Sequence, residues 1–273
     1  MDILQYGFIQ NAIMAGILAS IACGIIGSLV VVNRIVFISG GIAHTAYGGV
    51  GLAFFLGISP LLGAGFFAVV AAVVMALITL NNKQRADTVI GAMWAFGMAF
   101  GIILVDLTPG YGVDLMSYLF GSILAVPDTD LVFMAVLDAV IIIYILAYYR
   151  QIHAVSFDTE YAASMGVRTG LVYTVMLVMC ALAVVLLIRV VGLILIIAML
   201  TIPPFIAERW SASLKKMMVI SSLLSLVFTL AGLYCSYVFN LTSGASIIAV
   251  SSVSFFFFIT YDKLSKSFKN KLA

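Results

Sequence analysis

The sequence predicts an all-α, polytopic integral membrane protein built as one domain over residues 1–273, and three observations carry that prediction. Of the 273 residues, 64% are hydrophobic and only 9% are charged, more apolar surface than a soluble domain of this length hides. The apolar residues come in runs of about 17–25, each long enough to cross a bilayer as a helix. The cationic residues fall between those runs with a strong bias to one side.

Nine spans are expected, over residues 9–32, 43–57, 61–80, 89–107, 131–149, 172–188, 191–206, 217–239 and 245–261. Residues 113–126 are too short to cross and read as a helix or re-entrant piece on one side. The run 43–57 is also short. If it is only partly inserted, the count falls to eight and the amino terminus changes sides. The start, MDILQYGFIQNAIMAG, lacks the basic region of a cleavable signal, so no removed leader is expected.

With nine spans, Arg34, Lys83, Arg85, Arg150, Arg168, Arg209, Lys215, Lys216, Lys263, Lys266, Lys269 and Lys271 share one face, which is 12 of the 13 cations. Only Arg189 is left opposite, and the asymmetry assigns the basic face to the cytoplasm of a prokaryotic cell membrane. Outer loops such as 108–112 and 240–244 are short and uncharged. Two cytoplasmic segments are richer: the polar stretch 150–170, holding SFDTEYAASMGV, and PPFIAERWSASLKK from Pro203 onward. Proline fits the first turn of a helix and breaks its interior. Pro203 and Pro204 are therefore expected to end one span and open a short helix, about 203–216, at the membrane face. Glu160, Glu208 and Arg209 lie on these patches, which suit a cytoplasmic partner; interfacial amphipathic pieces without one are the alternative. A basic tail, 262–273, follows.

The net charge of +2 and the lack of a basic patch interleaved with aromatics argue against nucleic acid. No G-x-x-x-x-G-K-[ST] binds ATP through a P-loop, and neither H-E-x-x-H nor G-x-S-x-G supplies a hydrolytic centre. An enzyme is not expected. Cys23, Cys180 and Cys235 sit in apolar runs without a CxxC pair and read as small buried hydrophobes.

The stretch SGGIAHTAYGGVGLAFFLG, 39–57, concentrates the possible chemistry. On a helix, His44, Gly48 and Gly51 fall at i, i+4 and i+7, a face of nearly bare backbone around one imidazole. An ionisable group at membrane depth is a candidate for a pathway; a packing groove with the histidine bonded to a nearby carbonyl is the other reading. Imidazole with carboxylate suits a divalent cation gathered from several helices. Asp114, opening DLMSYLFGSIL, is either such a ligand or a cap at the positive end of its helix. Asp138 lies about two turns inside its span and is expected to pair with Arg189. Asp106 reads as interfacial, Asp87 as a cytoplasmic N-cap, and Tyr47, Phe54 and Phe55 as core or lipid-facing rings ahead of pathway-lining ones. His153 is placed in a polar cytoplasmic loop.

Several stretches resemble a known family in order along the chain. GGIAHTAYGGVGLAF resembles the G-D-x-L-x-H-x-x-L-x-G-V-x-x-A stretch of manganese/zinc/iron-type ABC transporter permeases, and ADTVIGAMWAFGMAFGIIL its D-T-x-x-G segment. VDLMSYLFGSILAV is similar to D-L-x-x-Y-L-F-G-D-x-L, the most specific match. FDTEYAASMGV resembles D-x-x-x-A-x-x-x-G, and VVGLILIIAMLTIPPFIAERW the V-G-x-L-L-x-x-A-L-L-x-x-P-A-x-x-A segment. The resemblance implies a homodimeric importer permease for zinc or manganese, driven by a cytoplasmic ATPase and loaded by an external substrate-binding protein. It also implies PPFIAERWSASL as the coupling helix, His44 and Asp114 as transient metal ligands, and no resident cofactor. Three positions depart from the family: Gly40 and Ser122 replace aspartates, and Ala95 stands where some zinc-type members carry a histidine. A permease for a chelated or organic substrate, and a passive channel or secondary transporter, remain the alternatives.

Overall fold

A computed structural model describes residues 7–81, 86–108, 121 and 123–272. Asp114 and Ser122 lie outside the described residues. The described chain is helical, with no strand: α1 (Gly7–Val32), α2 (Val36–Leu56), α3 (Pro60–Asn81), α4 (Ala86–Asp106), α5 (Asp128–Phe157), α6 (Thr159–Ser164), α7 (Thr169–Val191), α8 (Leu193–Trp210), α9 (Leu214–Phe239) and α10 (Ser243–Leu272), with a 3-10 turn at Ile123–Ala125.

Among the described residues, seven helices are long and apolar enough to cross a membrane. The expected count of nine crossings is not confirmed by that measure; α2 and α8 stand outside it. For α2 the reason is physical. Its 21 residues extend about 32 Å at 1.5 Å per residue, a bilayer's apolar thickness, but five are glycines and one is histidine. It also begins at Val36, so the stretch around His44 is not the short run that the sequence suggested.

The bundle has two central helices. α1 packs against α5, α8 and α9, while α2 packs against α3, α4 and α7. A tight turn joins them: Arg34 adopts φ 57°, Arg34 N–H donates to Val31 O (3.0 Å) and Ile35 N–H to Val30 O (2.9 Å). This pair of hydrogen bonds closes a helix C-terminus with a left-handed residue. The Asn33 side chain adds bonds to Leu29 O (2.8 Å) and Ser156 Oγ (3.0 Å), tying the turn to α5. At the other end Asn11 Nδ2 donates to Asp128 Oδ1 (2.7 Å), which pins the start of α1 to the start of α5.

Three local expectations are corrected. Pro203 and Pro204 do not start a new helix; both lie inside α8, which runs unbroken to Trp210. A separate helix over 203–216 is therefore not formed, and α9 begins at Leu214 with Ser213 as its cap. Proline strips the N–H partners from Met199 O and Leu200 O, a loss that membrane helices tolerate when neighbours and hydroxyls compensate. Here Gly27 of α1 admits the Leu200 carbonyl, which lies 2.8 Å from where a Cβ would stand.

The second correction concerns 150–157, expected in a polar loop. α5 runs 30 residues to Phe157 because Tyr149, His153 and Phe157 recur at i, i+4 and i+8 with ring centroids 5.9 and 4.8 Å apart. His153 is thus helical. Third, the tail after 261 continues α10 to Leu272.

Candidate functional site in the α2–α4 seam

Residues 38–51 of α2 are all buried, the pattern of a helix enclosed by other helices. The face carrying His44, Gly48 and Gly51 is filled by α4. A Cβ on Gly48 would stand 2.8 Å from Gly97 O, and one on Gly97 would stand 2.6 Å from Thr45 Cα. Gly51 meets Gly101 one turn on. Small residues on both helices let the backbones touch, as expected where lipid offers no hydrophobic drive to associate. The bare-backbone face is therefore a helix–helix contact in this conformation.

His44 is 8% exposed. Its ring stacks on Trp94 of α4, centroids 3.8 Å apart at 15°, and its Nδ1 lies 3.2 Å from Met98 Sδ. The partner at Nδ1 is thus a thioether, where the packing alternative expected a carbonyl. Thr45 Oγ1 donates to Gly41 O (2.7 Å) and reaches Met93 O (3.3 Å), a polar tie across the same seam. Trp94 and Met98 were not singled out from sequence. The signal that marks them is the Gly97-x-x-x-Gly101 spacing, which identifies the α4 face that meets α2, with Trp94 and Met98 beside its start.

Among the described residues no group of three or more His, Cys, Asp or Glu gathers to hold a metal ion. Gly40 is buried beside Ile197 Cδ1 (3.7 Å) and Ala95 is exposed on α4, so neither departure from the family pattern leaves a polar group near His44. Asp138 is 4% exposed on α5, and its Oδ2 has no hydrogen-bond partner among the described residues; the side chain of Arg189, its expected partner, lies outside them. Asp87 falls in the first turn of α4, one residue past the helix start, and Asp106 is its exposed last residue. Tyr47 is buried at 4% exposure, whereas Phe55 is 47% exposed. Cys23 and Cys180 are buried and free, and Cys235 is free and half-buried.

At the basic end, a cavity of about 540 Å³ opens between the α1–α2 turn, the start of α4 and the α5–α7 connection, lined in part by Asn33, Arg34, Asp87, Ser156, Thr159 and Thr169. Glu160 lies beside it in sequence, exposed on α6, whose first turn is capped by Asp158 Oδ1 accepting from Tyr161 N–H (2.9 Å). Glu208 and Arg209 are exposed at the end of α8, while Pro203 and Pro204 are buried. Lys215 Nζ lies 4.6 Å over the Tyr149 ring and links the start of α9 to α5.

Comparison with known proteins assigns the family. The model of the ABC 3 transport family matches residues 5–262. An uncharacterized membrane protein of Synechocystis sp. is 49% identical over 92% of this chain and 90% of its own. The manganese import system permease protein ScaB of Streptococcus parasanguinis is 34% identical over 98% of this chain and 95% of its own. A chain of PsaBC from Streptococcus pneumoniae, solved with a Fab, superposes with a TM-score of 0.83 at 32% identity, covering 93% of this chain and 91% of that one. With seven helices among the described residues apolar enough to span and a family match over nearly its whole length, this chain is a multi-pass cell-membrane protein belonging to the ABC 3 transport family.

Proposed function

We propose that the chain is the membrane-spanning permease subunit of an ATP-driven importer for a divalent metal ion, manganese or zinc. The observation that carries this reading is the end-to-end similarity to the manganese import permease ScaB. In this reading two copies form a homodimer with nine crossings each, a cytoplasmic ATPase drives them, and an external binding protein delivers the ion. ATPase closure pushes on the cytoplasmic edge formed by α6, with Glu160, and by the α8–α9 junction, with Pro203, Pro204, Glu208 and Arg209. The push rocks the bundle between outward- and inward-open states. His44 and Asp114 serve as transient ligands. A site with few ligands holds its ion weakly, as a transit site must if it is to release it.

Gly40 and Ser122, standing where the family pattern has aspartates, favour one second reading, a chelated or organic cargo. One experiment separates the two: metal-stimulated ATPase activity of the assembled, reconstituted complex, with and without His44→Ala. Stimulation by manganese or zinc that falls at least tenfold in the variant supports the metal reading. If no divalent ion stimulates the complex and the substitution is silent, the metal reading fails.

A further inference from the structure

The two nitrogens of an imidazole stop being equivalent once a neighbour fixes one of them. At His44 that neighbour is Met98. Its thioether sulfur carries lone pairs and no proton, so it only accepts. Nδ1 at 3.2 Å makes a favourable contact when it bears the proton; the other neutral tautomer would set two lone pairs against each other. The ring has little freedom to swing away. Trp94 covers one face at 3.8 Å, and the close approach of Gly48 to Gly97 holds α4 against α2 there. Trp94 and Met98, at i and i+4, project from the same side of α4, so one helix supplies both the stacking surface and the acceptor.

We propose that Met98 is the positioning residue for His44: its thioether accepts the Nδ1–H and holds the ring in that tautomer, so that Nε2 is the nitrogen offered to the cargo. The inference rests on the reading of His44 as a pathway residue only for its consequence, not for the tautomer itself. Histidines that ligate metal usually give their other N–H to a carboxylate or carbonyl, which orients the ring and raises its basicity. A thioether is a weaker acceptor. It orients the ring while adding little donor strength, which suits a ligand that must let its ion go. The cargo class that matches is a borderline cation that accepts neutral imidazole nitrogen.

The test uses the full chain in lipid, ¹⁵N-labelled at histidine. The chain has two histidines, so His153→Gln, on the exposed side of α5, leaves His44 as the single signal source. Without metal, Nδ1 is expected to show the shift of a protonated ring nitrogen and Nε2 that of an unprotonated one. Met98→Leu, nearly volume-conserving, is expected to mix the tautomers, and Met98→Gln, which restores an acceptor oxygen, to return the Nδ1–H form. A ring protonated at Nε2 in the unsubstituted chain, or a tautomer unchanged by Met98→Leu, overturns the proposal. In the assembled transporter Met98→Leu is expected to raise the metal KM about tenfold, in line with outer-shell partners elsewhere, with kcat little changed. If His44→Ala leaves transport untouched while the tautomer behaves as stated, the pathway reading has failed and the positioning by Met98 has not.

Discussion

Gly97→Ala probes the α2–α4 seam directly. The new Cβ would stand 2.6 Å from Thr45 Cα, 3.2 Å from His44 O and 3.3 Å from Thr45 Cβ, where ordinary contact begins at 3.4 Å. The worst of these demands a retreat of 3.4 − 2.6 = 0.8 Å, and two of the three obstructing atoms are backbone, which has no alternative rotamer. α4 must back away from α2. Overpacking of this kind costs about 1–3 kcal/mol. Alanine also gains about 1 kcal/mol over glycine in a helix, which would mask part of the loss. Gly91→Ala, on the same helix with nothing within 4 Å of its Cβ, carries that gain alone. Subtracting one variant from the other removes the propensity and leaves the clash. Reversible unfolding in detergent should therefore place Gly97→Ala about 1–3 kcal/mol below Gly91→Ala. In a Trp210→Phe background, leaving Trp94 as the single tryptophan of two, emission should shift for the first variant only as the His44 stack loosens. Two variants within 0.5 kcal/mol of each other, an experimental resolution of roughly that size, would refute the seam.

Two further outcomes follow from groups with few partners. Asp158→Ala removes the side-chain acceptor from Tyr161 N–H at the start of α6 and should cost that six-residue helix about 1 kcal/mol, read as faster amide exchange over residues 159–164; unchanged exchange would show that the cap is idle. Asp138→Leu removes a buried oxygen without a hydrogen-bond partner among the described residues and should raise stability by about 1–3 kcal/mol, whereas a loss of roughly 3 kcal/mol or more would reveal a charged partner left alone in the interior.

Much of the architecture was legible because membrane helices announce themselves by length and hydropathy. Each apolar run of the sequence coincides with a helix, and the glycine face of 43–57 proved to be a contact face. What hydropathy could not report was enclosure. α2 is low in apolar content because its neighbours are backbone rather than lipid, so a scale built on transfer into hydrocarbon undervalues it. The partners of His44 were hidden for a different reason. Trp94 and Met98 lie about fifty residues away and look like any bulky pair on an apolar helix until the register of α4 against α2 is known. Pro203 and Pro204 misled because the rule that proline ends a helix assumes water or nothing around the freed carbonyls. In α8 the freed Leu200 carbonyl packs on Gly27 of α1, a tertiary contact no local rule contains.

A seam made of backbone has a further consequence. Interlocked side chains hold two helices in axial register, as knobs do in holes. Gly48 on Gly97 and Gly51 on Gly101 bring the helices close but give them little to lock. Of the contacts that then carry the register, beside the Trp94 stack on His44 and the Ile90 side chain seated on Gly41, two are polar: Thr45 Oγ1 toward Met93 O at 3.3 Å and His44 Nδ1 on Met98 Sδ at 3.2 Å. They lie on one turn of α2 and act on the same pair of helices, so losing one should leave the other holding the register. Thr45→Val and Met98→Leu are each expected to cost less than about 1 kcal/mol, and together to cost more than their sum by roughly 0.5–1 kcal/mol. Strict additivity in the double-mutant cycle would mean that the register is set elsewhere. A positive coupling would mean that α2 can shift along α4 by small steps of about 1–2 Å once these two contacts release, carrying the imidazole with it.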